Sequence, residues 1–206
     1  QGGALMAAPF DPQRLALTGA AVPVLDGVLQ SISIGAAQYS FSTTGTLVYV
    51  PGGIEGARSR LVWVSRNGAE QPLAGPERNY YGPRLSPDAR QVAVTIGEQV
   101  THIWLYDLTR ETLTPLTFEG TNQLPNWTPD GKRIAFQSNR NGPANLYWQL
   151  ADGSGELERL MTSEYLQGPH SWSADGQFLA FIELRPTTGR DLWVLGISDR
   201  KAQPFL

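Results

Sequence analysis

The chain has 206 residues, a net charge of −3, 41% apolar and 17% charged side chains, and no cysteine. That length and apolar content suit a folded domain with a real core and exclude global disorder. The negative balance argues against nucleic acid as a partner, since binding it needs a basic stripe that releases counterions, and the absence of Cys removes disulfides, thiolate metal sites and a cysteine nucleophile.

The sixteen basic residues are fourteen Arg and two Lys, a bias that favours planar, bidentate pairing over point charges. With 22 Gly, 15 Pro and no sustained helical period, the composition suits short strands joined by tight turns. No apolar run reaches the roughly 18 residues that cross a bilayer, so no membrane contact is expected of this segment. The apolar opening Gln1–Phe10 lacks the basic start of a secretory signal and reads as a strand.

Taken in chain order, Leu5–Phe10 and Val22–Val28 are expected as the two outer strands of a partial unit within residues 1–30, because the first matches Leu146–Gln149 of a later unit. Four longer units follow, expected at 37–73, 83–117, 125–162 and 170–206. Each carries a turn signature: Ser42-Thr43-Thr44-Gly45-Thr46, Ser86-Pro87-Asp88-Ala89-Arg90, Thr128-Pro129-Asp130-Gly131-Lys132 and Ser173-Ala174-Asp175-Gly176-Gln177. These recur every 42 to 45 residues. A large apolar residue precedes each turn (Phe41, Leu85, Trp127, Trp172), and an alternating run follows it (Leu47/Tyr49, Val92/Val94, Ile134/Phe136, Leu179/Phe181). Further on, Trp63, Trp104, Tyr147 and Trp193 are expected at equivalent places in another strand. The Asp-Gly and Asn-Gly pairs accept the positive φ of tight hairpins, and Pro87 and Pro129 preset a type I turn. A period of this length with turn residues at fixed offsets predicts an all-β propeller of four-stranded antiparallel blades. The expectation is four complete blades plus a partial N-terminal one, with each innermost strand lying just before its turn.

Few residues offer chemistry. His102 and His170 are the two histidines, and no G-x-S-x-G elbow exists around which either could complete a nucleophilic triad. Asp152-Gly153-Ser154-Gly155-Glu156 has the oxygens that start a calcium loop but not the later Gly and Glu, and reads as a hairpin turn. The recurring turn aspartates read as caps, and Asn126-Trp127-Thr128 is a formal glycosylation sequon where the repeat already wants those residues. The tryptophans read as packing between blades, with Trp148 facing the opposite side of its strand from Tyr147. No catalytic residue, metal ligand or cofactor is expected. The surface a propeller offers is the mouth of its channel, where the connections into the innermost strands converge. The binding candidates there are Tyr39, Tyr80, Tyr81, Arg84, Asn122, Asn126 and His170, since Tyr, Asn and Arg are sensible contact residues.

The run Asn126–Gly142 resembles the repeat of TolB-like (WD40-like) β-propellers, in which a W-S-P-D-G-K-x-I-A-F-x-S-x-R-x-G pattern recurs. The copies at Ser86 and Ser173 match it in part, with Ala89 in place of the turn Gly and Ala174 in place of the Pro. Met6–Asp11 and Gly45–Gly53 are similar to the C-terminal propeller regions of bacterial transmembrane serine/threonine kinases. The resemblance implies a six- or seven-bladed propeller of which this chain is a fragment, a sensor or docking role outside the cytoplasm (periplasmic or cell-surface), and a protein or peptide partner at the axial face. No G-x-G-x-x-G loop, H-R-D or D-F-G accompanies it. The expected function is a non-catalytic binding scaffold. The alternatives are the substrate-filtering propeller of a prolyl-oligopeptidase-like serine hydrolase, and a structural fragment that self-associates through open blade edges.

Overall fold

The computed structural model describes residues 4–29, 37–42, 45–51, 58–97 and 100–205, and every regular element among them is a strand. The chain opens with a long, interrupted hairpin. β1 (Leu5–Ala7) and β2 (Phe10–Asp11) run out, β3 (Ala16–Leu17) and β4 (Val22–Leu25) run back, and β1 pairs with β4 as β2 does with β3. Four antiparallel sheets of four strands follow, each in simple sequential order. The first holds β5 (Tyr39–Phe41), β6 (Leu47–Tyr49), β7 (Val62–Val64) and β8 (Glu70–Pro72). The second holds β9 (Tyr80–Leu85), β10 (Gln91–Gly97), β11 (Thr101–Asp107) and β12 (Thr112–Pro115). The third holds β13 (Asn122–Trp127), β14 (Arg133–Ser138), β15 (Asn145–Leu150) and β16 (Glu158–Arg159), and the fourth β17 (Leu166–Trp172), β18 (Phe178–Arg185), β19 (Gly189–Gly196) and β20 (Ala202–Pro204).

The turn between the first two strands of each sheet explains the sequence period. Ser86 Oγ donates to Asp88 Oδ1 (2.7 Å), which accepts the Arg90 N–H (3.1 Å), while Ser86 Oγ accepts from Gln91 N (2.9 Å). Thr128 with Asp130, and Ser173 with Asp175, repeat the same bonds. The next residue is left-handed in all three, at φ 57° for Ala89, 68° for Gly131 and 71° for Gly176. Ser42 Oγ likewise accepts from Thr46 N (3.0 Å); Thr43 and Thr44 lie outside the described residues.

Side chains alternate across a strand, so each sheet has two faces, and successive sheets stack them. Val50 and Leu61 beside the first sheet meet Tyr80, Val94 and Ile96 of the second. Ala93, Ile103 and Leu105 of the second meet Ile134, Phe136 and Tyr147 of the third, whose Ala135 and Leu146 meet Leu179, Phe181 and Leu195 of the fourth. Leu5 and Leu25 of the opening hairpin lie against Tyr49, Val62 and Val64. Each fully buried side chain of Phe or Leu size contributes about 1.5–3 kcal/mol, so the junctions between sheets hold the stack together. The first strands β5, β9, β13 and β17 touch in series, which makes them the inner edge of a radial stack, as in a β-propeller.

The aromatic series departs from its expected register at one place. Trp104, Tyr147 and Trp193 pair with Val94, Phe136 and Phe181, each eight residues after its turn Ser or Thr. Trp63 pairs with Val48, six residues after Ser42, the place Tyr106 holds opposite Val92. Because the side-chain period of a strand is two, this offset leaves Trp63 on the same face. Trp148 packs with the third-to-fourth junction while Tyr147 packs with the second-to-third, so the two neighbours do face opposite ways.

Candidate functional site

The inner wall is shaped by three prolines. Gly82 and Pro83 together oppose Val94, Leu124 and Pro125 together oppose Phe136, and His170 is inserted between the pairs Pro169–Phe181 and Ser171–Ala180. Proline cannot donate to a ladder, and a bulge is where a strand tolerates it. Gly82 (φ 56°) and Leu124 (φ 58°) take the left-handed conformation just before their prolines. The extra residue resets the alternation, and the side chains beyond it reach sideways to neighbouring first strands.

Those side chains form a polar belt. Arg84 Nη1 donates to the carbonyls of Tyr39 (3.2 Å) and Pro83 (3.1 Å). Ser40 Oγ accepts the Leu85 N–H (3.1 Å), and the Gln38 carboxamide oxygen accepts the Gly82 N–H. Trp127 Nε1 donates to Arg84 O (2.9 Å), and Asn126 Nδ2 donates to His170 O (2.6 Å). Four adjoining sheets are thus tied edge to edge. Burial pushes the Arg84 guanidinium down from its ordinary value, and no carboxylate among the described residues pairs with it. Beside it, the Tyr39 ring stacks on Phe41 with centroids 6.3 Å apart, and Phe41 is 68% exposed.

The sequence candidates divide between two places. Tyr39, Arg84, Asn126 and His170 join in the belt, with His170 exposed and the other three half-buried. Tyr80 does not: it is 1% exposed and its hydroxyl donates to Pro76 O (2.7 Å), which makes it a core side chain. Asn122 is wholly buried, with Nδ2 donating to the carbonyls of Glu119 (2.9 Å) and Gly120 (3.1 Å) and lying 3.4 Å from His102 Nδ1. It braces the connection into β13 instead of facing a partner. Half-buried Tyr81 sits at the entry end of β9, three residues and so roughly 10 Å of strand from Arg84. A cleft of about 310 Å³ opens at that end, lined among others by Arg58, Arg78, Asn79 and Ile96.

Gln38, Ser40 and Phe41 belong to the wall but were not among the candidates. Phe41 occupies the place of Leu85 and Trp127, which are 8% and 7% exposed under the preceding sheet. The two-stranded β1/β4 sheet packs on Tyr49, Val62 and Val64 instead, leaving the Phe41 ring open. The prolines inside strands were the signal that the wall is bulged.

A second polar cluster, in the fourth sheet, centres on Glu183, with the Gln167 Oε1 buried and without a partner among the described residues. Burial raises the pKa of Glu183, which is 2% exposed, but bonds from Arg185 Nε (2.8 Å), Gln167 Nε2 (2.8 Å) and Ser163 Oγ (2.9 Å) outweigh it and hold the carboxyl below its ordinary value. Asp152 caps its own hairpin, accepting from Ser154 N (2.8 Å) and Ser154 Oγ (2.7 Å). Among the described residues no three His, Asp or Glu side chains gather where a metal ion could be held, and no helix is long and apolar enough to cross a membrane.

Comparison with known proteins agrees with this architecture. The uncharacterized protein Atu1656 of Agrobacterium fabrum is 29% identical over 147 residues, covering 70% of this chain and 50% of that protein. The uncharacterized peptidase YuxL of Bacillus subtilis is 28% identical over 103 residues, covering 46% of this chain and 16% of that protein. The chain therefore spans half the length of one curated relative and about a sixth of the other. An Agrobacterium tumefaciens chain assigned as TolB superposes with a TM-score of 0.79 at 22% identity, covering 100% of this chain and 74% of that one. TolB from Acinetobacter baumannii gives 0.75 at 21%, covering 92% and 47%. The model of the TolB beta propeller domain matches residues 41–195, the span that carries the four recurring turns, and the chain belongs to that family.

Proposed function

We propose that this chain is a non-catalytic docking scaffold that takes a peptide or protein segment at its axial face, along the wall of first strands. The polar belt carries the reading, because side chains from three sheets are held there by bonds to the backbone of their neighbours, the fourth sheet included, and one of them, Arg84, is a secluded cation with no acid beside it among the described residues. Groups fixed in advance lose little freedom on binding, which favours recognition over bare solvation. Peptides selected on the chain by display test it by titration calorimetry. Tyr39→Ala and Asn126→Ala should each weaken binding about tenfold, a loss of the size seen when an interface anchor is truncated, while Gln71→Ala on an outer strand leaves it unchanged. Weakening confined to the outer-strand variant would reject the axial site. The likeness of Met6–Asp11 and Gly45–Gly53 to kinase propellers supports a sensor domain outside the cytoplasm, and a kinase domain and membrane helix upstream in the parent gene are its expected context.

The relation to YuxL, whose name is that of a peptidase, favours a second reading, the accessory propeller of a serine hydrolase. An α/β-hydrolase region downstream in the parent gene would select it. The fourth sheet favours a third, self-association: its outward face carries Phe178 and Leu184, 46% and 42% exposed, beside half-buried Ile182, Leu192 and Val194. Light scattering that shows a strict monomer across a concentration series would dismiss it.

A further inference from the structure

We infer that Arg84 is a carboxylate anchor, so that the wall between Tyr39 and Asn126 seats one carboxylate of the docked segment. The inference rests on the axial docking reading and adds the chemistry of what docks. Six arginines are half-buried: Arg84, Arg133, Arg140, Arg159, Arg185 and Arg200. Arg133 and Arg200 pair with Glu158, and Arg185 pairs with Glu183. Arg140 and Arg159 lie over the Tyr147 ring, 5.8 and 5.7 Å from its centre. Arg84 alone of the six has neither an acid nor an aromatic face among the described residues. Two backbone carbonyls take its Nη1 and fix the plane of the guanidinium, and no group among the described residues takes Nε or Nη2, which leaves that edge for a ligand. That fork matches the two oxygens of a carboxylate. A secluded charge without a counter-ion is unfavourable for folding, and its partner removed or absent leaves that cost standing. Next to it, the stacked Tyr39 and Phe41 rings offer an apolar bed for the residue that bears the acid, and the Asn126 carboxamide lies on the neighbouring strand, tied to His170 O.

The test uses the whole 206-residue chain labelled with nitrogen-15 arginine, with the Arg84 Nε–H signal identified by its loss in Arg84→Lys. Four probes are titrated: acetate, an acetylated and amidated peptide with one Glu, the same peptide with Gln, and the Gln peptide with a free C-terminus. Saturable movement of the Arg84 signal by acetate and the Glu peptide, and not by the amidated Gln peptide, is the expected result. Movement by the free C-terminus assigns a chain end as the source, and movement by acetate alone assigns a small organic acid. Arg84→Lys should bind about tenfold more weakly. Arg84→Gln should lose the response and, without ligand, unfold at an equal or higher urea midpoint. An Arg84 signal unmoved by every carboxylate, or an Arg84→Gln variant that is clearly less stable yet binds as before, would overturn the inference and make Arg84 a brace for two carbonyls. If selected peptides still depend on Tyr39 and Asn126 while Arg84 stays silent, docking stands and the anchor falls. If acetate moves Arg84 while the selected peptides bind elsewhere, the anchor stands and docking falls.

Discussion

Replacing Ala89 with Gly should stabilise the protein, and replacing Gly131 with Ala should destabilise it by a similar amount. The two residues hold the same place in two copies of one turn, both left-handed, at φ 57° and 68°. A Cβ in that conformation costs about 1–2 kcal/mol. Glycine gives back about 0.4–1 kcal/mol through its greater freedom in the unfolded chain. The net for Ala89→Gly is about 0.5–1 kcal/mol in favour of folding. At Gly131 a Cβ would find nothing nearer than Pro87 Cδ at 3.6 Å, an ordinary contact, so the conformational cost acts alone. Urea unfolding followed by tryptophan fluorescence reads both changes as midpoint shifts at constant slope. In a thermal scan each kcal/mol is worth about 2–4 °C for a chain of this size. If both substitutions were neutral, or if Ala89→Gly destabilised, the three turns would not be one device used repeatedly.

Two further perturbations probe the junctions and the turns. Trp127→Phe removes one donor to Arg84 O and should cost about 0.5–1.5 kcal/mol for the hydrogen bond lost, whereas Trp172→Phe removes an indole N–H that has no acceptor among the described residues and should cost less; equilibrium urea unfolding of both variants compares them. The carboxyls of Asp88, Asp130 and Asp175 are held below their ordinary range, foremost by the hydroxyls of Ser86, Thr128 and Ser173. Such groups stabilise the fold above their unfolded pKa of about 3.9 and lose that contribution as pH falls through their lower folded values. The urea midpoint should therefore hold steady near neutrality and decline in acid below about pH 4, and Asp130→Asn with Asp175→Asn should flatten the decline.

The repeat was legible because its turns are local. Ser or Thr, Asp and a left-handed residue close the same bonds wherever they occur, and the alternating runs after them name the faces that stack. What escaped was decided between elements. Tyr80 and Tyr81 are adjacent in sequence, yet only the position of the bulge at Gly82-Pro83 and the packing of the first sheet put one in the core and leave the other half-open. Phe41 reads like Leu85 and Trp127, and differs because of what lies over it. Asn122 carries the polar side chain expected of a channel mouth but turns inward to satisfy the carbonyls of Glu119 and Gly120. Arg84, Asn126, Tyr39 and His170 were named from the repeat alone; that they are tied pairwise into a belt depends on bulges whose trace in the sequence is a proline within each strand.

Amide hydrogen exchange with and without a display-selected peptide tests the docking wall most directly. Slower exchange at Tyr39–Phe41, Arg84–Leu85, Asn126–Trp127 and His170–Trp172, with no change at Glu70–Pro72, Thr112–Pro115 or Ala202–Pro204, is the predicted result. Protection limited to those outer strands, or to the outward face of the fourth sheet, would contradict it.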